Sequence, residues 1–444
     1  MEARVIRTAK NTGDRLAEKQ TLELKEDFNN RIPVIAINPE VTYQEHMGFG
    51  GAFTEAAAYT LSEMSEEKRA EVIKKYYHPT EGLGYTLGRV HIHSCDFALG
   101  NYTYIEEGDA ELSTFDMSHE DKWVVPMVND AIKAAGQELT ILASPWSPPA
   151  FMKTNKEMNY GGYLLPEFRQ AWANYYVKFI EGMKERGIDI WGVSVQNEPA
   201  AIQTWDSCIY SSEDERDFVR DYLGPTFEQS GMGDKAILIW DHNRDEIVER
   251  ASTVLLDEEA AKYVWGTGNH WYVSEEFENL SVIHDLFPDK HILFTEGCQE
   301  GGPKPGEWFT GERYGRNIIG DFNNWSRGWL DWNLVLNEEG GPNHVGNLCD
   351  APILADRKND ELIINSSYYY IGHFSKFIVP GAKRIQHSMN LPENVYATAF
   401  KNPDGSIAVV VQNERDHLQE FSLVYGKKGA EVVIPEHSIT TFIL

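Results

Sequence analysis

Cysteine is scarce in this chain of 444 residues: Cys95, Cys208, Cys298 and Cys349 stand far apart, without the spacing of a zinc site. They read as reduced thiols rather than a disulfide framework, which gives a cytoplasmic location as the expectation. Also missing is any apolar run near the roughly 20 residues that a membrane-spanning helix needs, and Met1 to Asn30 has no apolar signal-peptide centre. A removed signal peptide would change the location, not the chemistry. Positive charge is short as well: 40 Lys and Arg against 69 Asp and Glu leave a formal charge of -29. That balance repels nucleic acid and anionic membrane surfaces, so a neutral or cationic partner is expected. No glycine-rich phosphate loop is present, and no Ser or Cys sits in a nucleophile-elbow context.

What the chain does have is aromatic residues, 12% of the total with 12 Trp and 21 Tyr, and a regular alternation of strand and helix patterns. Its length favours one large domain with a smaller one. Residues 1–45 carry strand-like pieces, Ala3 to Ile6, Gln20 to Leu24 and Val34 to Ile37, with no convincing helix. From Met47 short apolar strands alternate with amphipathic helices. Strands are expected at 47–54, 85–92, 139–146, 191–198, 236–243, 265–272, 291–298 and 328–336. Helices are expected at 65–77, 120–136, 166–187, 212–231, 249–264, 277–288, 313–327 and 366–378. The third is the clearest, with Phe168, Trp172, Tyr175, Phe179 and Met183 at three- and four-residue spacing between Pro166 and Gly187. Eight such units point to an α/β fold, a (β/α)8 TIM barrel over 46–380. Beyond it, 381–444 returns to strands only: Val395 to Phe400, Ser406 to Val411 and Glu431 to Ile434, with Asn-Pro-Asp-Gly and Lys-Lys-Gly turns. Both chain termini are expected to meet in one β-sandwich side domain docked on the barrel.

In such a barrel the chemistry sits at the C-terminal ends of the strands. Trp191 to Pro199 is an apolar strand closed by Asn197, Glu198 and Pro199, and His291 to Cys298 repeats that construction with Glu296. Taken alone, Glu198 could equally cap the following turn. Two carboxylates among amides and indoles fit glycoside hydrolysis, with retention if they lie roughly 5 Å apart and inversion if the gap is roughly 6.5–9.5 Å. Spacing along the chain does not decide between these.

Several stretches, in order, resemble the glucosylceramidase group of glycoside hydrolase family 30: Gly48 to Thr54, Ser94-Cys-Asp-Phe97, Ala143-Ser-Pro-Trp146, Asn197-Glu-Pro199, His270-Trp-Tyr272, the Glu-Gly-Cys at Glu296, Trp329 to Asn333 with Glu339 to Asn343, and Gly372 to Phe377. The resemblance implies a retaining β-glycosidase that needs no metal or other cofactor, with Glu198 as acid/base and Glu296 as nucleophile. It also implies that Asp96, Trp146, Asn197, Trp332 and Asn347 hold the sugar, with His270 and Tyr272 at the site and Arg89 supporting the nucleophile. Glu55 stands where relatives carry aspartate, and the stretches Gly297 to Gly311 and around His344 differ from them and would shape the mouth of the cleft.

Plainer readings stand beside these. His91 and His93 share a strand face and could ligate a metal, yet no complementary set follows, so hydrogen bonding inside the barrel mouth is the expectation. Cys298 reads as an inert buried thiol, and Trp271 and Trp329 could equally be site residues or packing. Asp241 and His242 could touch substrate or cap a helix. The expected function is an exo-acting β-glucosidase on a soluble β-glucoside, with no nucleic acid or membrane partner and the oligomeric state left open. The alternatives are a β-1,6-glucanase, a β-xylosidase or a glucosylceramidase acting on lipid; less favoured are a metal-dependent amidohydrolase-like barrel and a non-catalytic sugar-binding barrel.

Overall fold

A computed structural model describes all residues, 1–444. Eight parallel strands close into a barrel in chain order: β1 (Gly48–Phe53), β2 (Leu87–Ile92), β3 (Thr140–Pro145), β4 (Ile190–Ser194), β5 (Ala236–Asn243), β6 (Val264–His270), β7 (His291–Glu296) and β8 (Ser326–Asn333). The alternation of strand side chains builds its interior in layers. Leu87, Leu142, Leu238, Leu293 and Leu330 share one apolar cluster at the lower level. Two residues further along four of these strands come Arg89, Ser144, Thr295 and Trp332, so the interior turns polar as it rises toward the C-terminal face.

Helices cover the outside. The clearest, Arg169–Glu185, buries Trp172, Tyr175, Phe179 and Met183 against the barrel, and Gly187 turns the chain away with φ of 80°. A helix not anticipated from periodicity, Glu55–Ser62, begins directly after β1, where the Thr54 side chain accepts from the Ala57 N–H. Its alanines carry too weak an amphipathic pattern to announce it. The helix expected at 313–327 starts earlier, as Phe309–Asn323, and Ser326 and Arg327 already belong to β8. After β8 the chain makes a small three-stranded sheet, Leu336–Asn337, Ile353–Asp356 and Glu361–Ile364, before the last helix, Ser366–Ser375.

The side domain is one nine-stranded sheet folded on itself around Ile35, Val409, Phe421 and Phe442. Both termini meet in it, as expected: Glu2–Ala9 pairs antiparallel with Ser438–Ile443. It is not wholly antiparallel, because Gln419–Tyr425 runs parallel to Val34–Glu45. The strand Ile407–Asn413 is buried on both faces. Val409 and Val411 enter the sandwich core while Ala408 and Val410 join the barrel's cluster. His373, on the last helix, bonds Thr8 at 2.9 Å and Thr441 at 2.8 Å, so one imidazole ties both terminal strands to the barrel.

Candidate active site

Regular pairing in β4 stops at Ser194, four residues before Glu198, so the acid stands on an irregular extension and not at the end of the ladder. The backbone there still bonds both neighbours. Val195 N–H donates to Leu238 O, Asn197 N–H to Pro145 O, and Glu198 N–H to Asp241 O. Glu198 adopts φ of 49°, a left-handed conformation costly for a residue with a side chain. A bulge acts in the same way on β5: its register against β6 shifts between Trp240 and His242, with φ of 67° at Trp240 and 51° at Asp241. The shift sends Trp240 outward, under Arg250, and brings Asp241 into the polar interior.

Asp241 is the hub of that interior. Completely buried, it accepts from Arg89 Nη2 at 2.9 Å, Ser194 Oγ at 2.5 Å, Thr295 Oγ1 at 2.6 Å and His270 Nε2 at 3.0 Å. Burial opposes its charge, yet Arg89 and His270 hold its carboxyl far below the usual aspartate range. Arg89 spends its other donors on the site: Nη1 to Glu296 Oε2 at 2.5 Å, Nη2 also to Asn197 Oδ1 at 2.9 Å, and Nε to Ser144 Oγ at 3.1 Å. Since only the amide oxygen of Asn197 can accept from a guanidinium, its NH2 is left for a ligand. Tyr272 OH donates to the other oxygen of Glu296 at 2.8 Å.

His270 connects the two halves. Nδ1 reaches Glu198 Oε1 at 3.1 Å and Nε2 reaches Asp241. Burial disfavours its charge, but Glu296, Asp241 and Glu198 together raise it to about 9, so both nitrogens carry protons and donate. One oxygen of Glu198 and one of Glu296 lie within 4.8 Å of each other. The two glutamates therefore titrate as a pair. Burial pushes both carboxyls up; His242 and His270 draw Glu198 below its usual range, while burial, reinforced by the Glu198 charge, leaves Glu296 raised despite His270 and Arg89.

Above this network opens a cleft of about 480 Å³. Of the residues anticipated at the site, Asp96, Trp146, Asn197, Glu198, Tyr272, Glu296, Trp332 and Asn347 line it. Trp146 and Trp332 stack at 5.2 Å, with the Arg89 guanidinium 4.9 Å from the Trp146 ring. Asn343 and Asn347 both donate to Asp96 Oδ2 at 3.1 Å, leaving Oδ1 without a protein donor. Burial raises the Asp96 carboxyl to about 8 against those two donors. Arg89 and His270 are fully buried behind the wall, so His270, expected among the substrate contacts, reaches the cleft only through Glu198.

Other expectations resolve plainly. His91 Nδ1 faces His93 O at 2.5 Å and its Nε2 accepts from Glu55 N–H, while His93 contacts Tyr175 OH and Ser147 O. No ring nitrogen of this pair is left for a metal. Glu55 is buried and accepts from Leu99 N–H and His119, which fixes the loop that carries Asp96. Trp329 stacks on Phe294 at 3.5 Å, and Trp271 packs on Trp329, both behind the cleft. Asp241 neither caps a helix nor reaches the cleft, whereas His242 lines it with Nε2 3.8 Å from Glu198. Gln203, Trp205, Val273 and Glu300 also line it, from loops after β4, β6 and β7. Nothing in their local sequence marks them, since a loop's course is set by what it packs against.

The pattern of the glycosyl hydrolase family 30 TIM-barrel domain matches residues 46–378, and that of the glycosyl hydrolase family 30 beta sandwich domain matches residues 381–442. The chain belongs to glycoside hydrolase family 30. Lysosomal acid glucosylceramidase of Mus musculus is 35% identical over 429 residues, covering 92% of this chain and 83% of that protein. Among solved structures, SrfJ from Salmonella typhimurium superposes with a TM-score of 0.95 at 36% identity, over 100% of this chain and 99% of that one. An endo-β1,6-glucanase superposes with a TM-score of 0.90 at 27% identity, over 100% and 99%. As a family 30 member the chain is a retaining glycosidase acting on a carbohydrate substrate. The approach of its two glutamates, with oxygens within 4.8 Å of each other, agrees with that class and not with the wider carboxyl separation of inverting enzymes.

Proposed function

We propose that this chain is an exo-acting β-glucosidase that removes a terminal β-linked glucose from a soluble β-glucoside in the cytoplasm. The observation that carries the reaction is the pair Glu198 and Glu296, with oxygens within 4.8 Å of each other in a cleft walled by indoles. Glu296 attacks the anomeric carbon as the glycosidic C–O bond breaks, and Glu198 gives its proton to the departing oxygen. Glu198 then takes a proton from water, which attacks the same carbon and releases Glu296. The working form carries one proton on the pair; in the empty cleft the directions of shift favour Glu296 as its holder, and we infer that the bound glycosidic oxygen, as acceptor beside Glu198, moves it to Glu198. Arg89 and Tyr272 both donate to Glu296 and stabilise its anion in that form.

Glucose in the first subsite is supported by Asp96, whose Oδ1 has no protein partner and can hydrogen-bond sugar hydroxyls, by the free NH2 of Asn197, which can bond the 2-hydroxyl, and by relatives named glucosylceramidases. Four free cysteines support a reducing compartment, and no helix is long and apolar enough to cross a membrane. A second reading, a glucosylated lipid as substrate, is favoured by Ile202 and Val273, 71% and 64% exposed where the loops after β4 and β6 reach the cleft. Turnover of aryl β-glucoside, aryl β-xyloside, β-1,6-glucan and detergent-dispersed glucosylated lipid by the purified chain tests these readings. The proposal expects the aryl glucoside to be cleaved best, with glucose as the first product. Preference for xyloside, or release of oligosaccharides from the glucan without monosaccharide turnover, would overturn it.

A further inference from the structure

Two residues beyond Glu296 stands Cys298, and two residues beyond Asn347 stands Cys349; both thiols line the cleft. The segments that carry them run side by side. Asp350 N–H donates to Gln299 O and Gly302 N–H to Leu348 O, both at 2.8 Å, and Glu300 pairs antiparallel with Cys349. Both cysteines belong to one packed cluster with Trp332 and Leu336, so their side chains share a single patch of the cleft wall. Cys298 Sγ also lies 3.7 Å from Tyr272 OH, the group that donates to Glu296 at 2.8 Å. The catalytic steps above use neither sulfur.

We propose that Cys298 and Cys349 form a chelating dithiol site for a soft divalent cation, set in the cleft wall beside the nucleophile, whose occupation inhibits the enzyme. Two neighbouring sulfurs are the donor set that soft metals select. The surroundings favour a cation over other thiol-directed ligands. Asp96, Glu198, Glu296 and Glu300 line the cleft, and no lysine or arginine does. Anionic reagents such as glutathione disulfide are repelled there, and both cysteines are nearly covered, at 2–3% exposure. Cys349 first, then burial and the Glu296 charge, hold the Cys298 thiol well above its usual range, so it rests as a protonated and weakly nucleophilic group. A divalent cation reverses that balance. As two metal–sulfur bonds form, two protons leave the thiols for solvent, and no electron is transferred. The bound ion lies beside Tyr272 and Glu296, where it blocks the approach of the sugar.

The test is titration of the purified full-length chain with cadmium in thiol-free buffer, following the ultraviolet cadmium–thiolate band, bound metal per chain and glycosidase activity together. The expected result is one tightly bound ion per chain, a thiolate band that rises as activity falls, and reversal by a small dithiol chelator. Magnesium should produce none of these. In Cys349→Val, and separately in Cys298→Ala, half-inhibition should move to a concentration on the order of 100-fold higher, because a single remaining sulfur has no chelate partner. Each variant is compared with itself in the absence of metal. Inhibition of the wild type without a thiolate band, absence of the band altogether, or unchanged cadmium sensitivity in both variants would overturn the proposal. The band and the stoichiometry do not depend on which sugar the enzyme cleaves.

Discussion

Arg89 and Asp241 form an ion pair at 2.9 Å with neither side chain exposed to solvent, and the same guanidinium contacts Glu296 and Asn197. One buried cation thus favours the ionised form of Glu296 and orients the Asn197 amide beside Glu198. Asp241 is what makes that cation tolerable in the barrel interior.

Replacing Asp241 by Asn should therefore damage stability and activity together. The substitution leaves Arg89 partly uncompensated and turns one of the two oxygens, which accept from Arg89 and from His270 Nε2, into an NH2 donor. A loss of about 3–5 kcal/mol is expected for breaking a buried pair. Urea unfolding of the variant checks this, and a change under about 1 kcal/mol would show that the pair is not structural.

Glu198→Ala should discriminate among substrates. Loss of the proton donor costs roughly 10²–10⁴-fold on glycosides with poor leaving groups. On an activated aryl glucoside, bond cleavage needs little proton assistance, so that step should be largely retained. Single-turnover rates over a leaving-group series give the slope directly; equal losses for all leaving groups would assign Glu198 another role.

The pH profile of kcat/KM should be bell-shaped, because the working form holds one proton on the Glu198–Glu296 pair. At low pH both protonate and the nucleophile is lost. At high pH both ionise and the acid is lost. Tyr272→Phe removes a donor to ionised Glu296 and so raises its proton affinity. The limb of the profile that reports Glu296, the more basic of the pair in the empty cleft, should move to higher pH by about one unit, a bond to a charged group being worth roughly 1.5–3 kcal/mol. An unshifted limb would mean that the hydroxyl does not act on the carboxylate.

Stability should fall as pH rises above the mildly acidic range. Burial holds Asp96 and Asp331 protonated to about 8, and His270 stays protonated to about 9. Between about 6.5 and 9 the folded chain therefore binds more protons than the unfolded chain, and stability decreases with pH. The opposite slope appears below about 6.5, where His46, His93 and His373, kept neutral by burial down to about 3, are protonated only in the unfolded chain. Thermal melts from pH 4 to 9 should show a maximum near 6. A transition temperature still rising between 7 and 9 would contradict these directions.

Much of this arrangement is legible from residue order. Short apolar runs and helical patterns mark the eight barrel units because each strand is buried on both faces and each helix on one. Glu198 and Glu296 are legible because a buried strand closed by a carboxylate occurs twice and the motifs around both resemble those of family 30, whereas either acid alone could cap a turn. Asp241 is not legible: the bulge that turns it inward depends on positive φ at Trp240 and Asp241, and neither residue type announces that conformation. His270 shows the converse. Its residue type suits a substrate contact, yet its two carboxylate partners come from β5 and from the extension of β4, and their convergence beneath the cleft appears only in three dimensions. The strand Gln419–Tyr425 escapes notice because its charged and polar start blurs the alternation.

The account turns on Glu296 as the residue that bonds to the sugar. Mass spectrometry of the chain after incubation with a fluorinated, activated β-glucoside tests it most directly. One sugar should attach per chain, on the peptide and side chain of Glu296, with activity lost in step. Labelling of Glu198, or loss of activity with no covalent adduct, would contradict the assignment.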